Sequence, residues 1–205
     1  MTEHIDDEKF DVDIRYRFNF ISKFINFTSE DIKVLNNFAH IIDPMIPVIV
    51  DSVYRKLFHY DVTKNYFIIT NEHFDASTKQ NENLSLESTQ MIYRKDMLSA
   101  YLKRLFRQNE WTDEFLAYLY RVSRIHTNKN GSTSININYI YINATLTYIE
   151  NLLIEFVWSS DNFDHLTKKQ IILALNKAFR IQNDLFAINY IQPTIHQKKE
   201  SCTCS

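Results

Sequence analysis

The scarcity of glycine constrains this chain more than any other feature of its sequence. Its 205 residues include one glycine, Gly131, whereas a chain of this length and average composition carries about 14. Phosphate-binding loops, dinucleotide-binding fingerprints and nucleophile elbows need several glycines and are therefore excluded. All-β folds are disfavoured too, because their tight turns need residues with positive φ. With three prolines and 14% aromatic residues, the composition predicts an all-α protein.

The charge and the cysteine content of the chain limit which binding partners and which cellular compartment are expected. The 23 Lys and Arg residues oppose 25 Asp and Glu residues, for a net charge of −2, so no nucleic-acid partner is expected. The cysteines, Cys202 and Cys204, lie at the C-terminal end and allow no disulfide framework, which indicates a reducing, cytoplasmic setting. The most apolar stretch, residues 135–157, contains six Asn and Glu residues and is therefore not expected to span a membrane.

Helix start signals and apolar spacing divide the chain into about eight helices. One domain is expected over residues 13–191, with disordered ends at residues 1–12 and 192–205. The predicted helices cover approximately residues 13–26, 28–42, 43–60, 63–69, 86–108, 111–127, 137–158 and 168–191. A polar loop is predicted for residues 70–84. Such a set can pack as a globin-like fold or as a helical bundle, and periodicity alone does not choose between them.

Three helix starts carry recognisable capping patterns. Thr28 with Asp31 three residues later predicts a capping box, and so does Thr167 with Gln170. Asp43 precedes a proline, which predicts that Asp43 caps the third helix, because proline is favoured at the first helical position.

His126 stands out among the seven histidines. No two histidines have the spacing of a zinc site. His126 continues an apolar stripe formed by Phe115, Leu119 and Val122 on its helix. Two interpretations remain open at this point: a core histidine bonded to a backbone carbonyl, or an axial metal ligand that faces an apolar cavity, as a haem iron needs.

Tyr54 is the second candidate, because it lies in line with Val50, Val53 and Leu57 on the third helix. It is either a half-buried tyrosine whose hydroxyl reaches water, or a hydrogen-bond donor to a gas ligand on the far side of a haem.

Four stretches of the sequence resemble the protoglobin family, the single-domain relatives of globin-coupled gas sensors. They are residues 50–58, 93–102, 118–132 and 176–190. The most specific parts are the segment IHT at residues 125–127 and the segment IQNDLF at residues 181–186. The resemblance extends over residues 13–191 and implies a globin fold with an additional N-terminal helix.

The resemblance also implies a function and a site. It implies haem b with His126 as the proximal iron ligand, Tyr54 on the distal side, and O2, CO or NO as the ligand. The haem contacts it implies, together with the apolar stripe, are Val53, Leu98, Tyr101, Leu119, Val122 and Ile142. It further implies a homodimer through the last two helices. Val53 departs from the tryptophan of some members, and Ser123 departs from the glycine of many.

Three roles stay open for such a chain. The first is reversible gas binding for sensing, storage or scavenging, with a separate signalling partner in the case of sensing. The second is an enzyme that turns over NO, nitrite or peroxide with a separate reductase, because a chain with one glycine has no flavin or nicotinamide site. The third is a haem-free dimerisation domain, against which the imidazole of His126 argues.

The C-terminal residues 202–205, CTCS, fit a lipidation pattern in which Cys202 would be farnesylated. Neither middle residue is aliphatic, so an unmodified tail is the competing interpretation. A single lipid would give only reversible membrane contact.

Overall fold

The computed structural model describes residues 2, 4–69, 85–127 and 135–191, and within these ranges all regular structure is helical. These described residues form nine α-helices, with a 3-10 turn at Asp43–Met45 between the third and the fourth. They are α1 (Asp7–Val12), α2 (Ile14–Phe24), α3 (Ser29–Ile42), α4 (Ile46–Phe58), α5 (Asp61–Ile69), α6 (Thr89–Phe106), α7 (Asp113–Ile125), α8 (Tyr139–Ser159) and α9 (His165–Ala187). The all-α prediction is confirmed.

Short polar side chains cap the N-termini of several of these helices. Thr28 and Asp31 form the predicted capping box at the start of α3. Thr112 caps α7 and Asn138 caps α8. The side chain of each accepts a hydrogen bond from a backbone N–H of the first turn. Such a cap satisfies a donor that the helix itself leaves unpaired and contributes about 1 kcal/mol.

The first helix lies in the segment that the sequence predicts to be disordered. Asp6 caps α1 by accepting hydrogen bonds from the N–H groups of Glu8 and Lys9. The guanidinium of Arg17 on α2 lies 4.5 Å from the centre of the Phe10 ring and holds α1 against the fold. A helix of six residues is too short to be stable alone, so this tertiary contact explains why sequence signals did not predict it.

Two further helix starts correct the sequence prediction. Asp164, not Thr167, caps α9, because the Asp164 carboxylate accepts the Thr167 N–H at 2.7 Å and adds a turn to the helix. Asp43 does not cap α4. Its carboxylate pairs with Arg107 at the end of α6, and the chain passes through the 3-10 turn before α4 begins.

Helix α9 is the centre of the fold, because it packs against α8, α3, α7 and α2. Leu175 and Phe179 are its largest wholly buried side chains. Arg17 on α2 makes a two-pronged ion pair with Asp184 on α9, with both N–O distances 2.6 Å. This arrangement fixes the last turns of α9 beside α7, where the candidate site lies.

Several of the predicted features fall outside the described residues. These are Gly131, Cys202, the loop at residues 70–84 and the tail at residues 192–205. None of the described helices combines the length and the apolarity that crossing a bilayer requires.

Candidate functional site

His126 lies at the C-terminal end of α7, directly after the last helical residue. Its ring nitrogen Nδ1 is 2.8 Å from the backbone carbonyl oxygen of Val122. A carbonyl can only accept a hydrogen bond, so Nδ1 carries the proton and Nε2 carries the lone pair that a metal ligand needs. The alternative of a core histidine bonded to a backbone carbonyl therefore does not compete with metal ligation, because the same bond prepares Nε2 for it.

The surroundings of His126 keep its imidazole neutral. Burial lowers the pKa of His126 below its usual 6.5, the hydrogen bond to Val122 opposes this shift, and the charge of Arg94 lowers the pKa further. The imidazole ring and the Phe186 ring on α9 form a T-shaped pair, with the ring centres 5.4 Å apart. A neutral imidazole is the form that binds iron, so the ring needs no proton loss at neutral pH.

Tyr54 lies on α4 with only 8% of its surface exposed. Its hydroxyl donates a hydrogen bond to the backbone carbonyl oxygen of Arg94 on α6 at 3.0 Å, and its ring centre is 5.8 Å from that of Phe67. Burial raises the pKa of Tyr54 to about 12, although the charge of Arg94 acts in the opposite direction. The phenol therefore stays protonated and remains a donor.

Arg94 is the residue that sequence reasoning missed. Its guanidinium lies 5.3 Å from the centre of the Phe67 ring, and its charge acts on both Tyr54 and His126. The side chain is half-buried, and burial lowers its pKa. Its position one helical turn before Leu98 was the available sequence signal.

The remaining candidates belong to the hydrophobic core that the described helices share. Val53, Leu119 and Ile142 are buried members of it, and Leu98 and Val122 are half-buried and packed against it. Together with Tyr54 and His126 they come from α4, α6, α7 and α8.

Tyr101, another predicted haem contact, is buried in the same core, and its hydroxyl donates to the amide oxygen of Gln182 on α9. Its polar end is therefore committed to α9, and only its ring remains for an apolar contact. The amide nitrogen of Gln182 has no hydrogen-bond partner among the described residues.

Comparison with known proteins settles the family. The Protoglobin family model matches residues 15–195, which is most of the chain. The chain belongs to the Protoglobin family. Membership in a globin family implies haem binding. No curated protein matches this Protoglobin chain.

The solved structures agree on the fold. The globin domain of a globin-coupled sensor from Geobacter sulfurreducens matches with a TM-score of 0.66 and 17% sequence identity, covering 85% of this chain and 97% of that one. At this identity the match shows the fold alone, and it confirms the predicted globin-like architecture of this family member.

The side chains of the site fit a haem group. They supply one neutral imidazole that can serve as an axial ligand, apolar side chains for the macrocycle, and a protonated phenol that can donate to a bound ligand. No cluster of three or more His, Cys, Asp and Glu residues that could hold another metal occurs among the described residues.

Proposed function

We propose that this chain is a haem-binding globin that reversibly binds a diatomic gas, O2, CO or NO, at an iron held by His126. The observation that carries the proposal is the 2.8 Å contact between His126 Nδ1 and the Val122 carbonyl oxygen, because it leaves Nε2 as the ligating atom. The family resemblance makes the proposed group haem b, and the sequence has no Cys-x-x-Cys-His segment for covalent attachment.

In this proposal the bound haem would supply the iron that takes up the gas, and the residues of the chain would hold the haem and shape its surroundings. His126 would supply one axial ligand, and its Nδ1–H bond would hold the ring in one orientation. Val53, Leu119 and Ile142 would exclude water from the cavity, which protects ferrous iron from oxidation.

Tyr54 would contribute a hydrogen bond to a polar gas ligand. Its hydroxyl is occupied by the Arg94 carbonyl oxygen, so it would have to turn from α6 toward the ligand. Such a bond favours O2 over CO, because O2 gains more negative charge on binding and is the better acceptor.

The cellular role would be sensing, storage or scavenging, in the case of sensing with a separate signalling partner. A homodimer through α8 and α9 is part of the proposal. Trp158, Leu166 and Leu173 on these two helices are between 48% and 65% exposed, and burial of such large apolar side chains favours association.

Titration of the haem-free protein with hemin tests the proposal. The wild type is expected to give a Soret band at a one-to-one ratio and a band shift after reduction and addition of CO. His126→Ala should weaken haem binding at least about a hundredfold, since the axial bond is lost. His59→Ala, which removes an exposed histidine next to the end of α4, should bind haem like the wild type. A colourless wild-type protein would refute the proposal.

A further inference from the structure

Two backbone hydrogen bonds connect residues 135–137, which precede α8, to the C-terminal end of α7. The N–H of Ile135 donates to the carbonyl oxygen of Ile125, and the N–H of Ile137 donates to the carbonyl oxygen of His126, both at 2.8 Å. The backbone of His126 is therefore held by its own helix and also by the segment that leads into α8.

Tyr190, three residues beyond the end of α9, closes this arrangement. Its hydroxyl oxygen lies 2.7 Å from the carbonyl oxygen of Ile137 and 3.1 Å from that of His126. A phenol has one proton, so these two carbonyls share it, and the shorter contact identifies Ile137 as the main acceptor. Burial, aided by neighbouring tyrosines, raises the pKa of Tyr190 to about 12, so the donor is present at every physiological pH.

A second contact connects the same two ends. The side-chain amide of Asn189 donates to Ser123 Oγ at 2.8 Å and to the Leu185 carbonyl oxygen at 3.1 Å. Ser123 Oγ in turn donates to the Tyr120 carbonyl oxygen at 2.7 Å. Ser123 and Asn189 are both buried, so this chain of hydrogen bonds is shielded from water and resists local opening.

We infer that Tyr190 is a positioning residue that sets the orientation of the His126 imidazole by holding the backbone of His126 and Ile137. The inference rests on the proposed function, because the orientation matters only if Nε2 binds iron. The ring is held by Nδ1 on Val122 within α7 and by its own backbone. The Ile137 N–H binds that backbone directly, and Tyr190 connects it to the end of α9. Loss of the Tyr190 hydroxyl removes one of these connections and lets the ring shift with the end of α7.

The chain provides a matched control for this inference. Tyr139 packs its ring 5.3 Å from that of Tyr190, and its hydroxyl donates to the side-chain oxygen of Asn183 at 3.0 Å. It connects α8 to α9 but contacts the carbonyl of neither His126 nor Ile137. Tyr139→Phe and Tyr190→Phe each remove one half-buried hydroxyl and keep the ring, so both variants are expected to fold.

The test combines a haem-free and a haem-bound measurement. In the haem-free protein, Tyr190→Phe should speed amide hydrogen exchange at Ile137 about fivefold, the effect of one lost hydrogen bond, and Tyr139→Phe should not. In the reduced haem-bound protein, Tyr190→Phe should shift or broaden the iron–histidine stretching band in resonance Raman spectra and raise the haem dissociation rate about fivefold.

Other outcomes separate the two proposals. Equal exchange at Ile137, and an iron–histidine band in Tyr190→Phe identical to that of Tyr139→Phe, would overturn the positioning role and leave the proposed function intact. A wild-type protein that binds no haem would overturn both proposals.

Discussion

The hydroxyl of Tyr54 donates a hydrogen bond to the backbone carbonyl oxygen of Arg94, 3.0 Å away and 40 positions later in the chain. This bond joins α4 to α6 and satisfies the buried hydroxyl of Tyr54. A gas ligand that accepted from Tyr54, as we propose, would compete with α6 for the same proton. In that proposal Tyr54 is a donor with two alternative acceptors.

Replacement of Tyr54 should discriminate between ligands. We expect Tyr54→Phe to raise the O2 dissociation rate about tenfold or more, because a hydrogen bond to the ligand is lost, and to change the CO rate less than about threefold. Stopped-flow measurement on the ferrous protein checks this. Tyr60→Phe is the control, since Tyr60 follows the end of α4 and is 47% exposed. Unchanged O2 dissociation in Tyr54→Phe would remove Tyr54 from the distal role.

Ionisation of Tyr54 gives a test at high pH. Its pKa is raised by burial to about 12, whereas a tyrosine in the unfolded chain titrates near 10. Between these values the unfolded chain has lost a proton that the folded chain keeps, so the free energy of unfolding falls as the pH rises. Tyr54→Phe should reduce that fall by about 2 kcal/mol between about pH 10 and pH 12.

Urea unfolding of the haem-free protein across this interval provides the measurement for the Tyr54 prediction. Parallel stability curves for the wild type and Tyr54→Phe would contradict the raised pKa.

The ion pair of Arg17 and Asp184 should be important for stability. The Arg17 side chain is 8% exposed. Asp184→Asn would leave its charge with only the Phe10 carbonyl oxygen at 3.3 Å and the exposed Asp11 carboxylate at 4.0 Å, at a cost of about 3 kcal/mol. Asp113→Asn is the matched control: Asp113 pairs with Arg15 but its side chain is 75% exposed, so the loss should be below about 1 kcal/mol. Equal losses in urea unfolding would show that the buried pair contributes no more than the exposed one.

The proposed dimer makes Leu173 on α9 a target. A charge at this position opposes the burial of apolar surface between two chains. Leu173→Glu should therefore convert a two-chain species to a single chain in sedimentation experiments at micromolar concentration. Ile92→Glu is the control, because Ile92 is similarly exposed, at 50%, but lies on α6. A wild-type protein that sediments as a single chain would contradict the dimer.

The elements that the sequence predicted correctly depend on local signals. The Thr28–Asp31 capping box needs only residues within one helical turn, and the stripe that ends in His126 needs only helical spacing. The start of α9 at Asp164 was missed because Asp164 and Thr167 are both good caps, and the choice between them depends on tertiary packing.

The parts of the site that could not be predicted connect distant residues. Spacing on α6 places Arg94 one helical turn before Leu98, but its proximity to both Tyr54 and His126 results from the packing of α6 and is not recorded in the sequence. Tyr190 reaches the His126 carbonyl across 64 positions, and nothing in the sequence around Tyr190 names that acceptor. Resemblance to a family supplied the proposed proximal and distal residues, but the contacts that hold them required the structure.

The most direct test of the account replaces His126 by glycine and returns the imidazole as a free ligand. His126→Gly should lose most of its haem affinity, and addition of millimolar imidazole should restore the Soret band and the CO-induced shift, since the cavity left by the side chain can accept the free ring. Haem binding by His126→Gly at wild-type affinity without imidazole would contradict the claim that His126 holds the iron.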